Sequence, residues 1–81
     1  MQAEEIQKLI ESNLSDSKVH VVGDGRHFEA SVVSEQFKGL SLLERQRLVF
    51  KFLGEYIRNG QIHALSVKAK TPDEWKQENL K

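Results

Sequence analysis

Three imidazoles, His20, His27 and His63, are the side chains of this sequence that ordinarily change charge near neutral pH, and they are its best donors for a transition metal. No cysteine accompanies them, so the chain alone builds neither a disulfide nor a thiolate metal site. Nucleophilic catalysis finds little to use. Ser34 and Ser66 fall in predicted strands without an evident histidine and acid partner, and no glycine-rich loop of phosphate-binding length is present. No paired histidine-acid motif falls on a predicted helix, and Glu29 and Glu35 read as solvated acids. The residue types point away from an enzyme.

The elements that must position these histidines can be read from spacing. Ile6, Leu9, Ile10 and Leu14 recur at helical intervals, predicting an amphipathic helix from Gln2 to Leu14. Lys18–Val22 reads as a strand carrying His20. Gly23, Asp24, Gly25 and Arg26 form the turn of a hairpin, because Asp-Gly is a strong hairpin signal, and a second strand runs from Phe28 to Glu35. His27 therefore stands at the end of a loop. Gln36 to Leu40 leads into a long helix with Ser41 as N-cap and Glu44 completing a capping box; Asn59 and Gly60 end it. Its apolar face is assigned to Leu42, Leu43, Val49, Phe50, Leu53, Tyr56 and Ile57, leaving Arg45, Arg47, Lys51 and Glu55 for solvent. Gly54, inside that helix, reads either as a close-packing position or as a tolerated one.

A third strand is predicted over Gln61–Ala69, with Ile62, Ala64 and Ser66 on one face and His63, Leu65 and Val67 on the other. On residue type alone His63 is then a partly buried, hydrogen-bonded strand histidine, and His20 an ordinary surface or edge residue. The helix between the second and third strands implies parallel pairing through a right-handed crossover. Thr71, Pro72 and Glu74 supply N-cap, first-turn proline and capping acid for a short last helix, which presents Trp75 to the sheet or to the edge of the long helix. The expected fold class is α+β, in the order α-β-β-α-β-α, with helices over one face of a three-stranded mixed sheet.

Size and charge bound the rest. With 81 residues, 38% of them hydrophobic and 30% charged, the chain is expected to form one soluble domain, residues 1–81. Lysine plus arginine and aspartate plus glutamate both number 12, so no charge surplus draws the chain as a whole to nucleic acid. The start, MQAEEIQKL, carries acids where a secretion signal would be basic, and no apolar run is long enough to span a bilayer; the expected compartment is the cytoplasm.

Three segments carry a resemblance. Asp24-Gly25-Arg26-His27-Phe28, Val33-Ser34-Glu35-Gln36-Phe37-Lys38-Gly39, and the stretch from Ile62 through His63-Ala64-Leu65-Ser66 to Thr71-Pro72-Asp73-Glu74-Trp75 together resemble the BolA family. Within it the sequence is most similar to the short bacterial branch associated with acid stress. The resemblance covers nearly the whole chain. It implies a fold similar to the type II KH arrangement and an adaptor that pairs with a monothiol glutaredoxin, either sharing a 2Fe-2S cluster or free of one. It also implies that His63 is a cluster ligand and His27, at the hairpin, the second candidate. The partner would then complete the four ligands with one glutaredoxin cysteine and one glutathione cysteine.

Two other readings compete. Some family members are described as transcription factors, and Arg45, Arg47, Lys51, Lys68 and Lys70 offer basic charge for DNA. Against it, the Gly-x-x-Gly loop of KH domains is replaced by Lys38-Gly39-Leu40-Ser41. A metal-free glutaredoxin adaptor would instead use Phe37, Lys38, Gly39 and the region from the third strand to Trp75 as its contact surface, although core packing is the commoner fate of such aromatics. A weak homodimer is left open.

Overall fold

The computed structural model describes residues 1–79. Its elements are α1 (Ala3–Asn13), β1 (Lys18–Gly23), β2 (His27–Val33), a 3-10 turn (Glu35–Phe37), α2 (Leu42–Arg58), β3 (Ala64–Lys70) and α3 (Pro72–Asn79). This is the expected order and class. β2 is the central strand, antiparallel to β1 and parallel to β3. The parallel pairing follows from α2, which returns the chain to the end of the sheet where β2 began.

Alternation along the strands sorts the side chains into two faces. Val21, Phe28, Ala30, Val32, Val67 and Ala69 point inward and are buried against Ile6 and Ile10 of α1, Leu14 just after it, and Val49 and Leu53 of α2, with Phe37 closing the core. The opposite face carries Lys18, His20, Glu29, Ser31, Ser66 and Lys68, all exposed.

Local chemistry sets the boundaries. Ser41 Oγ accepts from the Glu44 N–H at 3.1 Å while Glu44 Oε1 accepts from the Ser41 N–H at 2.9 Å, the reciprocal capping box that starts α2. Thr71 and Glu74 repeat it at α3, with distances of 2.8 and 3.2 Å. β2 stops at Val33 instead of reaching Glu35, because the buried Ser34 side chain accepts from the Gln36 N–H at 3.1 Å and turns the chain into the 3-10 segment. Gly54 proves tolerated: a Cβ there would meet only the flexible guanidinium end of Arg58.

Three expectations are corrected. β3 starts at Ala64, not Gln61, because the preceding residues form hydrogen bonds to α2 and its C-cap: the Gln61 N–H donates to Asn59 Oδ1 and the Ile62 N–H to the Tyr56 carbonyl, both at 3.0 Å. The strand alternation therefore does not extend back to His63, which is exposed in a bend while Leu65, Val67 and Ala69 turn inward. Leu42 and Leu43 leave the core face, 71% and 56% exposed. Arg45, assigned to solvent, is only 7% exposed. Its guanidinium donates to the carbonyls of Leu40 and Ala69 and to both carboxylate oxygens of Glu74, the shortest at 2.6 Å.

Candidate functional site

The crossover that makes β2 and β3 parallel also decides where the histidines lie. His27 is the first residue of β2 and pairs in register with Ala64, the first residue of β3. The Ala64 N–H donates to the Arg26 carbonyl at 3.1 Å. The residue after His63 is thus tied to the residue before His27. One strand spacing plus one residue step puts the two histidine Cα atoms no more than about 9 Å apart. Both side chains are exposed, that of His27 74% so. The structure brings these two predicted site residues to one end of the sheet.

His20 is not part of this end. It pairs with Ser31, four residues along β2 from His27, on the open face. It is exposed, as expected of a surface residue.

The hairpin loop is held by Asp24. Its Oδ1 accepts from the Arg26 and His27 N–H groups at 2.9 and 2.8 Å, and its own N–H donates to the His27 carbonyl at 3.2 Å. Gly25 supplies the positive φ of 97° that the turn demands. Gly23 is needed for a different reason: a Cβ there would overlap the Phe28 ring and the His27 carbonyl oxygen. The His27 and Arg26 amides, in that order, hold the Asp24 carboxyl below its ordinary value, with the nearby imidazole adding to the effect. Beside His27 a shallow concavity is lined by Val22, Phe28, Ala64 and Ser66. Val22 is 46% exposed, giving this end an apolar border.

As donors, two exposed imidazoles at one end of the sheet and no thiolate can bind a metal group only in part. Among the described residues no group of three or more His, Cys, Asp or Glu side chains is placed to hold a metal ion. The arrangement fits a site in which this chain supplies up to two nitrogen ligands and another molecule the remainder.

The opposite end of the sheet is built differently. Arg45 and Glu74 join α2 to α3, Lys70 pairs with Glu78, and Lys18 Nζ sits 5.5 Å from the centre of the Trp75 ring. Hydrogen bonding from Arg45, then from the Thr71 N–H, lowers the Glu74 carboxyl to about 2. No side chain of α3 is fully buried, although Trp75 is more than half covered, and these polar ties with the Thr71 cap help attach the helix. Sequence reasoning found the capping role of Glu74 but not its partner, 29 residues earlier; no local pattern carries that signal.

Of the basic residues considered for DNA, Arg45, Lys68 and Lys70 line one groove between α2 and β3, together with Glu74 and Glu78. Arg45 is buried and Lys70 is paired, while Arg47 and Lys51 lie on α2 and Lys68 on the sheet face turned away from the core. The metal-free contact surface is corrected too: Phe37 is fully buried and offers nothing to a partner, whereas Trp75 is 43% exposed.

Residues 3–74 match the family model for BolA-like proteins. The chain is 47% identical over 75 residues to the acid stress protein IbaG of Escherichia coli strain K12, covering 93% of this chain and 89% of that one. Among solved structures, a BolA homologue from Coxiella burnetii superposes with a TM-score of 0.84 at 44% identity, covering 94% and 97% of the two chains. BolA1 from Arabidopsis thaliana gives 0.78 at 32% identity, covering 89% and 93%. The chain belongs to the BolA family.

Proposed function

We propose that this protein is a non-enzymatic adaptor that binds a monothiol glutaredoxin and shares a 2Fe-2S cluster with it, in iron-sulfur trafficking or stress signalling. The observation that supports the reading is the hydrogen bond from Ala64 to Arg26, which ties the backbone next to His63 to the backbone next to His27, both histidines being exposed at one end of the sheet. His63 is the first ligand and His27 the second; one glutaredoxin cysteine and one glutathione cysteine complete the four. When bound, such a cluster supplies one-electron chemistry and a transferable iron-sulfur unit. This chain contributes neutral imidazole nitrogens, which raise the potential relative to thiolate ligation and make retention sensitive to acid, since a protonated imidazole cannot bind iron. The adaptor works in the cytoplasm. The 47% identity to an acid stress protein supports a stress-linked role.

Anaerobic reconstitution with a monothiol glutaredoxin and glutathione tests the reading, followed by visible circular dichroism and EPR of wild type, His63→Ala and His27→Ala. The expected result is a heterodimer spectrum distinct from that of the glutaredoxin homodimer, lost in His63→Ala and altered in His27→Ala. A complex that forms without a cluster would replace this reading with the metal-free adaptor. No complex at all, with salt-sensitive DNA binding instead, would favour the regulator.

A further inference from the structure

We propose that Asp24 is a positioning residue for His27, fixing the loop from which the imidazole projects and facing its Nδ1 side, so that Nε2 is the nitrogen presented outward. The inference deepens the ligand role proposed for His27 and rests on it. Asp24 and His27 are joined by two hydrogen bonds, from the Asp24 N–H to the His27 carbonyl and from the His27 N–H to Asp24 Oδ1. The side-chain bond takes the place of a backbone carbonyl acceptor across the turn, so the start of β2, and with it the register against Ala64, depends on this carboxylate. Its other oxygen, Oδ2, lies 3.8 Å from His27 Nδ1. That is longer than a hydrogen bond and within ion-pair range. A carboxylate on one side of a metal-binding imidazole favours a proton on the nearer nitrogen and leaves the farther one as donor.

The two roles separate by substitution. Asp24→Asn keeps an oxygen acceptor for the Arg26 and His27 amides but removes the charge facing Nδ1, whereas Asp24→Ala removes both. The test uses metal-free protein labelled with 15N in histidine, at a pH where the imidazoles are neutral, and reads the tautomer of His27 from its two ring nitrogens. Wild type is expected to hold a larger share of the Nδ1–H form than Asp24→Asn does. Asp24→Asn should leave the Arg26 and His27 amide resonances in place while lowering the ratio of Nδ1–H to Nε2–H by about threefold, the size an exposed charge interaction supports. Asp24→Ala should in addition move those amides. An unchanged tautomer ratio in Asp24→Asn would overturn the proposal even if the cluster assembles normally. If no cluster forms, the ligand reading of His27 fails while the tautomer measurement still decides what Asp24 does.

Discussion

The two ends of the sheet solve opposite problems. At the end holding Arg45, Glu74, Lys70 and Glu78, charged side chains are satisfied by one another and by backbone carbonyls, and they help fasten a helix with no fully buried side chain of its own. At the end holding His27 and His63 the backbone is tied by Asp24 and by the Ala64 to Arg26 bond, but both imidazoles stand in solvent. One end uses polar chemistry for attachment; the other leaves donors on a fixed frame. A ligand for a shared metal group needs the second arrangement, because a donor occupied within its own fold is not available to a partner.

The largest effect on stability is expected from Arg45→Ala. It removes a buried stem together with hydrogen bonds to the Leu40 and Ala69 carbonyls, a loss on the order of 3 kcal/mol, measurable by urea denaturation. The histidine end should keep its amide resonances in the folded fraction. If those resonances move as much as the ones from α3, the two ends are coupled and the contrast fails.

Gly23→Ala should cost somewhat less, about 2 kcal/mol, because the new methyl forces Phe28 and the His27 carbonyl to shift. This sharpens the contrast: backbone around the histidines carries stability although their side chains do not. Thermal denaturation gives the magnitude, and amide shifts confined to the hairpin and the start of β3 are the expected signature.

Acid should loosen the Arg45 end. Glu74 is lowered from 4.5 to about 2 in the folded protein, so its contribution is present in full above about 4.5 and is lost as the pH falls through about 2. Glu74→Gln should therefore reduce stability at pH 7 and flatten its decline across that window. Urea denaturation at pH 7, 4 and 3 provides the check; parallel pH curves for the two proteins would show that Glu74 is not a source of the acid sensitivity.

How much of this was legible depended on the distance over which each signal acts. The capping boxes at Ser41 and Thr71, the Asp-Gly turn and the helical period of α1 are local, and the structure contains each of them. Parallel pairing followed from the crossover, whereas the register that pairs His27 with Ala64 has no local pattern. Periodicity misled where an element begins: it extended β3 back to Gln61 and placed Leu42 and Leu43 in the core, because neither the Ile62 bond to Tyr56 nor the exposure of the first turn of α2 has a local pattern. Arg45 looked solvated since its partners, Ala69 and Glu74, are distant in sequence. The family resemblance singled out His63 where residue type alone would have buried it.

The smallest stability effect is expected where the functional effect is greatest. His63→Ala and His27→Ala remove exposed side chains with no buried contact to lose, so each should change folding free energy by less than about 0.5 kcal/mol. Denaturation curves overlaying that of wild type, together with loss of the heterodimer spectrum in His63→Ala, would separate a ligand from a structural histidine. A substantial destabilisation by His63→Ala would mean that its ring packs in the folded protein, and loss of the cluster could then be blamed on the fold. The comparison between the ends therefore turns on His63: the frame must survive the removal of what it presents.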